Sequence, residues 1–292
     1  MKKSGVKNKL TQEQLARIRE KLTEILNYEP RIGVFGKTGA GKSSLCNALF
    51  GQDVCPIGDV EACTRNPQEV FLNMDEKGIK LVDVPGVGES QERDKEYGEL
   101  YASLLPELDV VLWLLKGDDR AYASDEMFYE NVVKPHIDQG KAFFFVVNQV
   151  DKIEPFREWD VDAHEPGDTQ RANIDRKVSV ISEEFGVPRS KVIAVSAAEQ
   201  YNLTTLVDEI IYALPKEKKI TVFREVNQNF RSAEAKQNVK KDFFDVAREV
   251  IEGIVGVGTI IGTAFEAWVN DAVGGVTDFF SGIADWFSDL FK

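Results

Sequence analysis

Histidine is almost absent from this chain. His136 and His164 are the only two in 292 residues, which leaves little room for imidazole chemistry or for most zinc sites. Cysteine is scarce as well. Cys46, Cys55 and Cys63 make an odd and low count, which reads as a reduced, cytosolic protein without a disulfide framework. Cys55 and Cys63 are near neighbours, but without a partner histidine they do not make a metal site. Long apolar runs are missing too: no stretch of eighteen occurs, so none has the length of an ordinary membrane span. The opening MKKSGVKNKLTQEQ has no apolar core and does not read as a secretion signal. Positive charge is in deficit. The net charge is −13, which disfavours gripping nucleic-acid backbones over the whole surface and leaves only a local basic patch for that purpose. Direct DNA binding is not expected.

A core is well supplied, with 43% apolar and 10% aromatic residues. Residues 11–27 place Leu15, Ile18, Leu22, Ile25 and Leu26 on one helical face, with Thr11 as N-cap. Six short apolar runs follow, at 31–35, 69–74, 79–84, 109–115, 141–148 and 191–196. Several are apolar at nearly every position, as strands covered on both faces are. Helical segments separate most of them. The second and third are joined by the tight turn DEKG, which predicts one antiparallel pair. The expected fold is α/β: a mostly parallel six-stranded sheet with one antiparallel strand and helices on both faces. The run 152–190 reads as a surface excursion followed by a helix, and 202–215 as a closing helix ended by Pro215.

Composition changes after Pro215. Residues 216–248 carry a net charge of +4 and residues 249–292 a net charge of −6. The expected organisation is an N-terminal amphipathic helix (1–29), a main domain (30–215) and a helical C-terminal region (216–292).

The chemistry concentrates in GKTGAGKS, residues 36–43, which fits G-x-x-x-x-G-K-[ST] between a predicted strand and a predicted helix. Backbone N–H groups of such a turn converge on phosphate oxygens, and the helix N-terminus adds positive potential. The turn Gly36, Lys37, Thr38, Gly39, Ala40 and Gly41, with Lys42, Ser43 and Ser44, is the candidate phosphate cradle. Lys42 would reach the β- and γ-phosphates and Ser43 would ligate Mg²⁺. Other elements follow in order. In DVPG, Asp83 would stand behind the magnesium and the Gly86 N–H would sense the γ-phosphate. In CTR, Thr64 would cap Mg²⁺ and the γ-phosphate. In NQVD, Asp151 would accept two N–H bonds from guanine, a pair that adenine does not offer, with Asn148 and Gln149 beside it. In SAA, at Ser196 and Ala197, a backbone N–H would meet guanine O6. Taken singly, DVPG, NQVD and SAA are weak signals. Their order at successive strand ends is a strong one.

The set resembles the guanine-nucleotide domain of the Era-like GTPases. GKTGAGKSSLCNALFG, ACTRNPQEV, LVDVPGVGES and VLWLLKGDDR are most similar to small prophage-encoded GTPases labelled as 50S ribosome-binding, and more distantly to immunity-related GTPases. The resemblance covers about residues 30–215. It implies a Ras-like P-loop fold, Mg²⁺-dependent hydrolysis of GTP to GDP, and switch segments around 52–68 and 84–100.

Three positions depart from the pattern. Gln149 stands where N-K-x-D has lysine, which predicts retained guanine selectivity with weaker binding. Val87 stands where a Ras-type enzyme carries a water-orienting glutamine, and an apolar side chain cannot orient water. Gly39 stands where members that use a potassium ion carry asparagine. Slow intrinsic hydrolysis follows, with help from a second copy or a partner. Arg65 or Arg120 would supply charge in cis or across a dimer; the plain alternative is that both are solvated or salt-bridged. A ribosomal or other macromolecular partner fits the family label; a self-assembling or membrane-associated GTPase and a binding-only protein are the alternatives.

At the C-terminus, Gly258 and Gly262 form G-x-x-x-G. Residues 277–292 place Phe279, Phe280, Ile283, Trp286, Phe287 and Leu290 on one helical face. Three roles are open for this region: packing on the main domain, self-association or partner binding, and peripheral contact with a membrane. The acidic polar face counts against anionic lipid.

Overall fold

The computed structural model describes residues 11–50, 68–74, 77–83, 98, 102–137 and 141–256. Thr64, Arg65, Gly86, Val87, most of both switch segments and the C-terminal residues from 257 onward lie outside the described residues. The described residues fall into two compact units.

The larger unit comprises Glu29–Leu214 with Glu225–Ala235. Among its described residues are six strands: β1 (Arg31–Gly36), β2 (Gln68–Met74), β3 (Lys77–Asp83), β4 (Val110–Lys116), β5 (Ala142–Asn148) and β6 (Val192–Ala194). Their order in the sheet is β2-β3-β1-β4-β5-β6. Only β2 and β3 pair antiparallel, with Gln68 opposite Asp83 and Met74 opposite Lys77, as the tight connection requires. The other neighbours are parallel. This is the Ras-like P-loop arrangement. Every residue of β5 is buried, and so is every residue of β4 except Lys116, because helices cover both faces of the sheet.

Alternation along the strands sorts the large side chains. Phe35, Trp113, Phe143 and Phe145 share one cluster with Tyr129 and Phe185. The Phe145 ring lies 4.3 Å from that of Phe185 and 4.8 Å from that of Phe143, the latter nearly perpendicular at 81°. Edge-to-face and tilted contacts of this kind contribute beyond the area they bury. Helices among its described residues include α2 (Lys42–Phe50), α3 (Ala123–Phe128), α4 (Asp168–Glu184) and α5 (Leu203–Ala213). Helix α3 runs on through a π-helical turn, Tyr129–Val133, into Lys134–Ile137. Because β1, β3, β4, β5 and β6 run the same way, Gly36, Asp83, Lys116, Asn148 and Ala194 arrive at one edge of the sheet.

The smaller unit includes α1 (Gln12–Leu26) and all but the adjoining ends of α6 (Lys216–Glu225) and α7 (Ala233–Val255). Thr11 caps α1 in a full capping box with Gln14. Ile18 and Leu22 of α1 pack with Ala247 and Ile251 of α7. The helix expected to end at Pro215 stops at Ala213, and α6 begins directly after the proline. Proline suits the start of a helix as well as it terminates one. Helices α6 and α7 are also joined by a buried ion pair: Lys219 Nζ lies 2.6 Å from Asp242 Oδ2 and 2.8 Å from Asn238 Oδ1.

Removing one member of such a pair leaves the other charge buried without compensation. Lys219→Met should therefore cost about 3–5 kcal/mol. The double change Lys219→Met with Asp242→Leu should recover most of that loss. Urea unfolding curves for the two variants check the order.

Candidate functional site

The phosphate turn leaves β1 at Gly36 and enters α2 at Lys42. Two glycines are required by close approach. At Gly36, with φ +136°, a Cβ would run into the Leu114 carbonyl of β4. At Gly41, with φ +87°, it would run into the Asn148 amide. Both backbone angles are also ones that L side chains avoid. Lys42 curls back over the turn, its Nζ donating to Gly36 O at 3.0 Å. The Leu45 N–H bonds to Gly41 O at 2.9 Å, so the N–H groups that precede it in the first turn have no helical acceptor. Ser43 and Ser44 are half-buried there, and Thr38 and Gly39 are exposed.

The end of β5 meets this turn. Asn148 is 1% exposed. Its Nδ2 donates to Ala40 O at 2.9 Å, and its Oδ1 accepts the Ala197 N–H at 3.0 Å. Its own carbonyl accepts the Gly117 N–H at 2.7 Å. One residue therefore joins the phosphate turn, the end of β4 and the 196–198 turn. Gln149 adopts a left-handed conformation, φ 62°. Its Nε2 donates to Gly39 O at 2.8 Å, and its Oε1 accepts Lys152 Nζ at 2.9 Å. Asp151 Oδ1 accepts the hydroxyl of fully buried Ser196 at 2.6 Å. That hydroxyl in turn accepts the Glu199 N–H at 3.2 Å. The Asp151 backbone is fixed by buried Gln170, whose Nε2 donates to Asp151 O at 3.0 Å and Ile153 O at 2.9 Å. Asp151 Oδ2 has no side-chain partner among the described residues.

Gly36, Lys37, Thr38, Gly39, Ala40, Gly41, Lys42, Ser43 and Ser44 are thus assembled with Asn148, Gln149, Asp151, Ser196 and Ala197 at one edge of the sheet. Asp83 ends β3 beside them, paired in register with Val34 of β1. Thr64 and Gly86 lie outside the described residues. Three neighbours were not singled out from the sequence: Lys152, Gln170 and Asp125. Lys152 sits one residue beyond a motif whose ordinary lysine is missing, a signal that was available. Asp125 and Gln170 reach the site only through tertiary contacts. Burial pushes the Asp125 carboxyl up from the ordinary carboxylate value, and the Lys37 ammonium and the Trp113 N–H work against that shift.

The family model described as 50S ribosome-binding GTPase matches residues 31–149. The protein YfjP of Escherichia coli K12 is 41% identical over 242 residues, covering 82% of this chain and 80% of its own. The chain belongs to the Era-like P-loop GTPases, in the 50S ribosome-binding GTPase family. GTPase Era of Alkaliphilus metalliredigens is 25% identical over 186 residues, covering 63% of this chain and 56% of its own. A solved structure of Era with MgGDPNP and nucleotides 1506–1542 of 16S ribosomal RNA shares 20% identity at a TM-score of 0.49, covering 78% of this chain and 89% of that one. That likeness is too distant to bear on chemistry. Membership supports guanine-nucleotide binding and a nucleotide-dependent switch. Among its described residues no helix is long and apolar enough to cross a membrane.

Gly41→Ala tests the close approach. Positive φ alone costs about 1–2 kcal/mol for an L residue, and the Asn148 contact adds to it. Binding of a fluorescent GDP analogue should weaken at least about tenfold, with the sheet intact by circular dichroism.

Proposed function

We propose that the protein hydrolyses GTP to GDP and phosphate with Mg²⁺, slowly on its own and faster with help from a second copy or a partner. The reading rests most on one observation: Asn148 and Gln149 bring the guanine motif directly against the phosphate turn. The two halves of a nucleotide then have their contacts at one edge of one sheet.

The turn N–H groups and the α2 N-terminus hold the β- and γ-phosphates, with Lys42 neutralising their charge. Asp151, aligned by the Ser196 hydroxyl, accepts the N1 and 2-amino protons of guanine. A backbone N–H of the 196–198 turn meets O6. The Ala197 N–H already donates to Asn148, so this turn both braces the site and faces the base. Gln149 takes the tethering contact to the turn that an N-K-x-D lysine would otherwise be free to make, through an amide rather than an ammonium.

The residues fit magnesium by donor type: the Ser43 hydroxyl opens α2 and the Asp83 carboxylate ends the neighbouring strand, both hard oxygen donors. Ser43, Asp83 and Thr64 are its proposed protein contacts. When bound, the ion neutralises charge on the phosphate oxygens. Gly86 is the proposed γ-phosphate sensor. With Val87 unable to orient water, a second cation is needed, and exposed Arg120 is free of any side-chain partner among the described residues. A dimer through the G domain is one source of that help, and a ribosomal or other macromolecular partner is another, as the family's description suggests.

Asp151→Ala should weaken GTP binding by about 2–4 kcal/mol, since it removes charge-assisted hydrogen bonds, and should leave the feeble binding of ATP unchanged. Competition against a fluorescent GDP analogue measures both. Phosphate release from GTP across a hundredfold range of protein concentration tests the catalytic reading. A specific rate that rises with concentration is expected for catalysis across a dimer. A slow, flat rate points to an external activator, and no release at all would overturn hydrolysis in favour of binding alone.

A further inference from the structure

Asp125 is a carboxylate with 1% exposure that no proposed step uses. It lies on α3, and its two oxygens face different elements. Oδ1 accepts the indole N–H of Trp113 at 3.1 Å. Oδ2 lies 2.6 Å from Lys37 Nζ. Lys37 is the second residue of the phosphate turn, and its Nζ also donates to Ala121 O at 3.2 Å. Trp113 is fully buried in β4, with its ring parallel to that of Phe35 at 6.0 Å. Phe35 is in turn the last residue before the turn begins at Gly36. The first arm of the turn is therefore held twice by the same neighbourhood, through Phe35 on Trp113 and through Lys37 on Asp125.

A charge buried this deeply is costly unless it is paired, and an apolar side chain would fill the space at less cost. What an apolar residue could not do is hold an ammonium and an indole N–H at fixed positions at once. Lys42, at the far end of the turn, is oriented by Gly36 O, so the placement of Gly36 and Lys37 also sets the placement of Lys42.

We infer that Asp125 is a positioning residue for nucleotide binding: through Lys37 it fixes the first arm of the phosphate turn, so that α3 and the Ala121 segment set the affinity for the nucleotide's phosphates. The inference rests on the reading that this turn binds guanine nucleotide. It makes the affinity sensitive to anything that shifts Ala121–Asp125, and it makes Trp113 a reporter of the turn.

The test uses the full chain with Asp125→Asn, Lys37→Gln and the double variant. Each is measured for GDP affinity with a fluorescent GDP analogue, for thermal unfolding and for tryptophan emission. Asp125→Asn keeps the shape and an acceptor for Trp113 while removing the charge that holds Lys37. Each single variant should weaken GDP about tenfold, and the double should be no worse than the weaker single, the mark of coupled groups. Lys37→Arg should restore binding to within about twofold. An Asp125→Asn protein that melts lower but binds GDP as wild type does would overturn the inference and leave Asp125 a purely structural group. So would a double variant whose losses add. If Asp125→Asn does not fold, Asp125→Ser, which removes the same charge, carries the decision: unchanged GDP affinity overturns the inference and weakened affinity upholds it. Wild-type protein that fails to bind GDP would overturn the underlying reading and the inference together, a result distinct from failure of the variants alone.

Discussion

The buried amide of Asn148 is the contact on which the site depends. A carboxamide offers one donor group and one acceptor side by side. Here the donor meets Ala40 O of the phosphate turn and the acceptor meets the Ala197 N–H. The two partners fix the orientation of the amide, because a carbonyl only accepts and a backbone N–H only donates. Aspartate would set a carboxylate against a carbonyl, and leucine would leave both backbone groups buried and unpaired. Two loops from distant parts of the chain therefore meet on one side chain, and a third, through the Gly117 N–H, meets its backbone carbonyl. The close approach of Gly41 follows from the same contact, since the space a Cβ would need is where the Asn148 amide sits.

Charge in the site is managed against the sign of the whole protein. A chain with net charge −13 must hold a polyphosphate, and it does so by keeping cations oriented with its own oxygen atoms. Lys42 is turned by Gly36 O, Lys37 by Asp125 and Ala121 O, and Lys152 by Gln149. The Gln149 replacement is intelligible in these terms. Its Nε2 keeps a tether to Gly39 O, and its Oε1 recruits the ammonium of Lys152. A lysine at the same position could supply only donors. The tether and the positive charge are present but divided between two residues, with the charge moved toward the exposed end of the loop.

Much of this was legible locally. The glycine spacing of residues 36–43, the all-apolar strands and the tight β2–β3 connection are patterns within one segment, and each dictates its own geometry. Thr11 and Gln14 announce the start of α1 in the same way. Legibility ended where a residue's task is set by a partner far along the chain. Asn148 reads from sequence as a base-binding residue, and its bracing of Ala40 and Ala197 appears only when three loops meet. In the segment 116–126 the sequence points to Arg120, whereas its buried carboxylate is Asp125, whose partners Lys37 and Trp113 come from two other elements. The last apolar run spans 191–196, yet only Val192–Ala194 pair as strand. Val195 still donates its N–H to Val147 O of β5, but its carbonyl accepts the Val150 N–H, and Ser196 pairs with Tyr201, because the residues that follow the strand are drawn into the loops of the site.

The helical unit obeys a different constraint. Helix α1 has fifteen residues, near the lower limit for an isolated helix in water even with a good cap. Its buried residues Ile18 and Leu22 find their partners on α7, near the far end of the described chain. Contacts so distant in sequence cost the entropy of closing a long loop before they give any stabilisation. Helix α1 therefore depends on α7 for the burial of its apolar face. The buried Lys219–Asp242 pair joins α6 and α7 across a much shorter loop, so the contact that holds these two helices together costs less closure entropy than the one that docks α1.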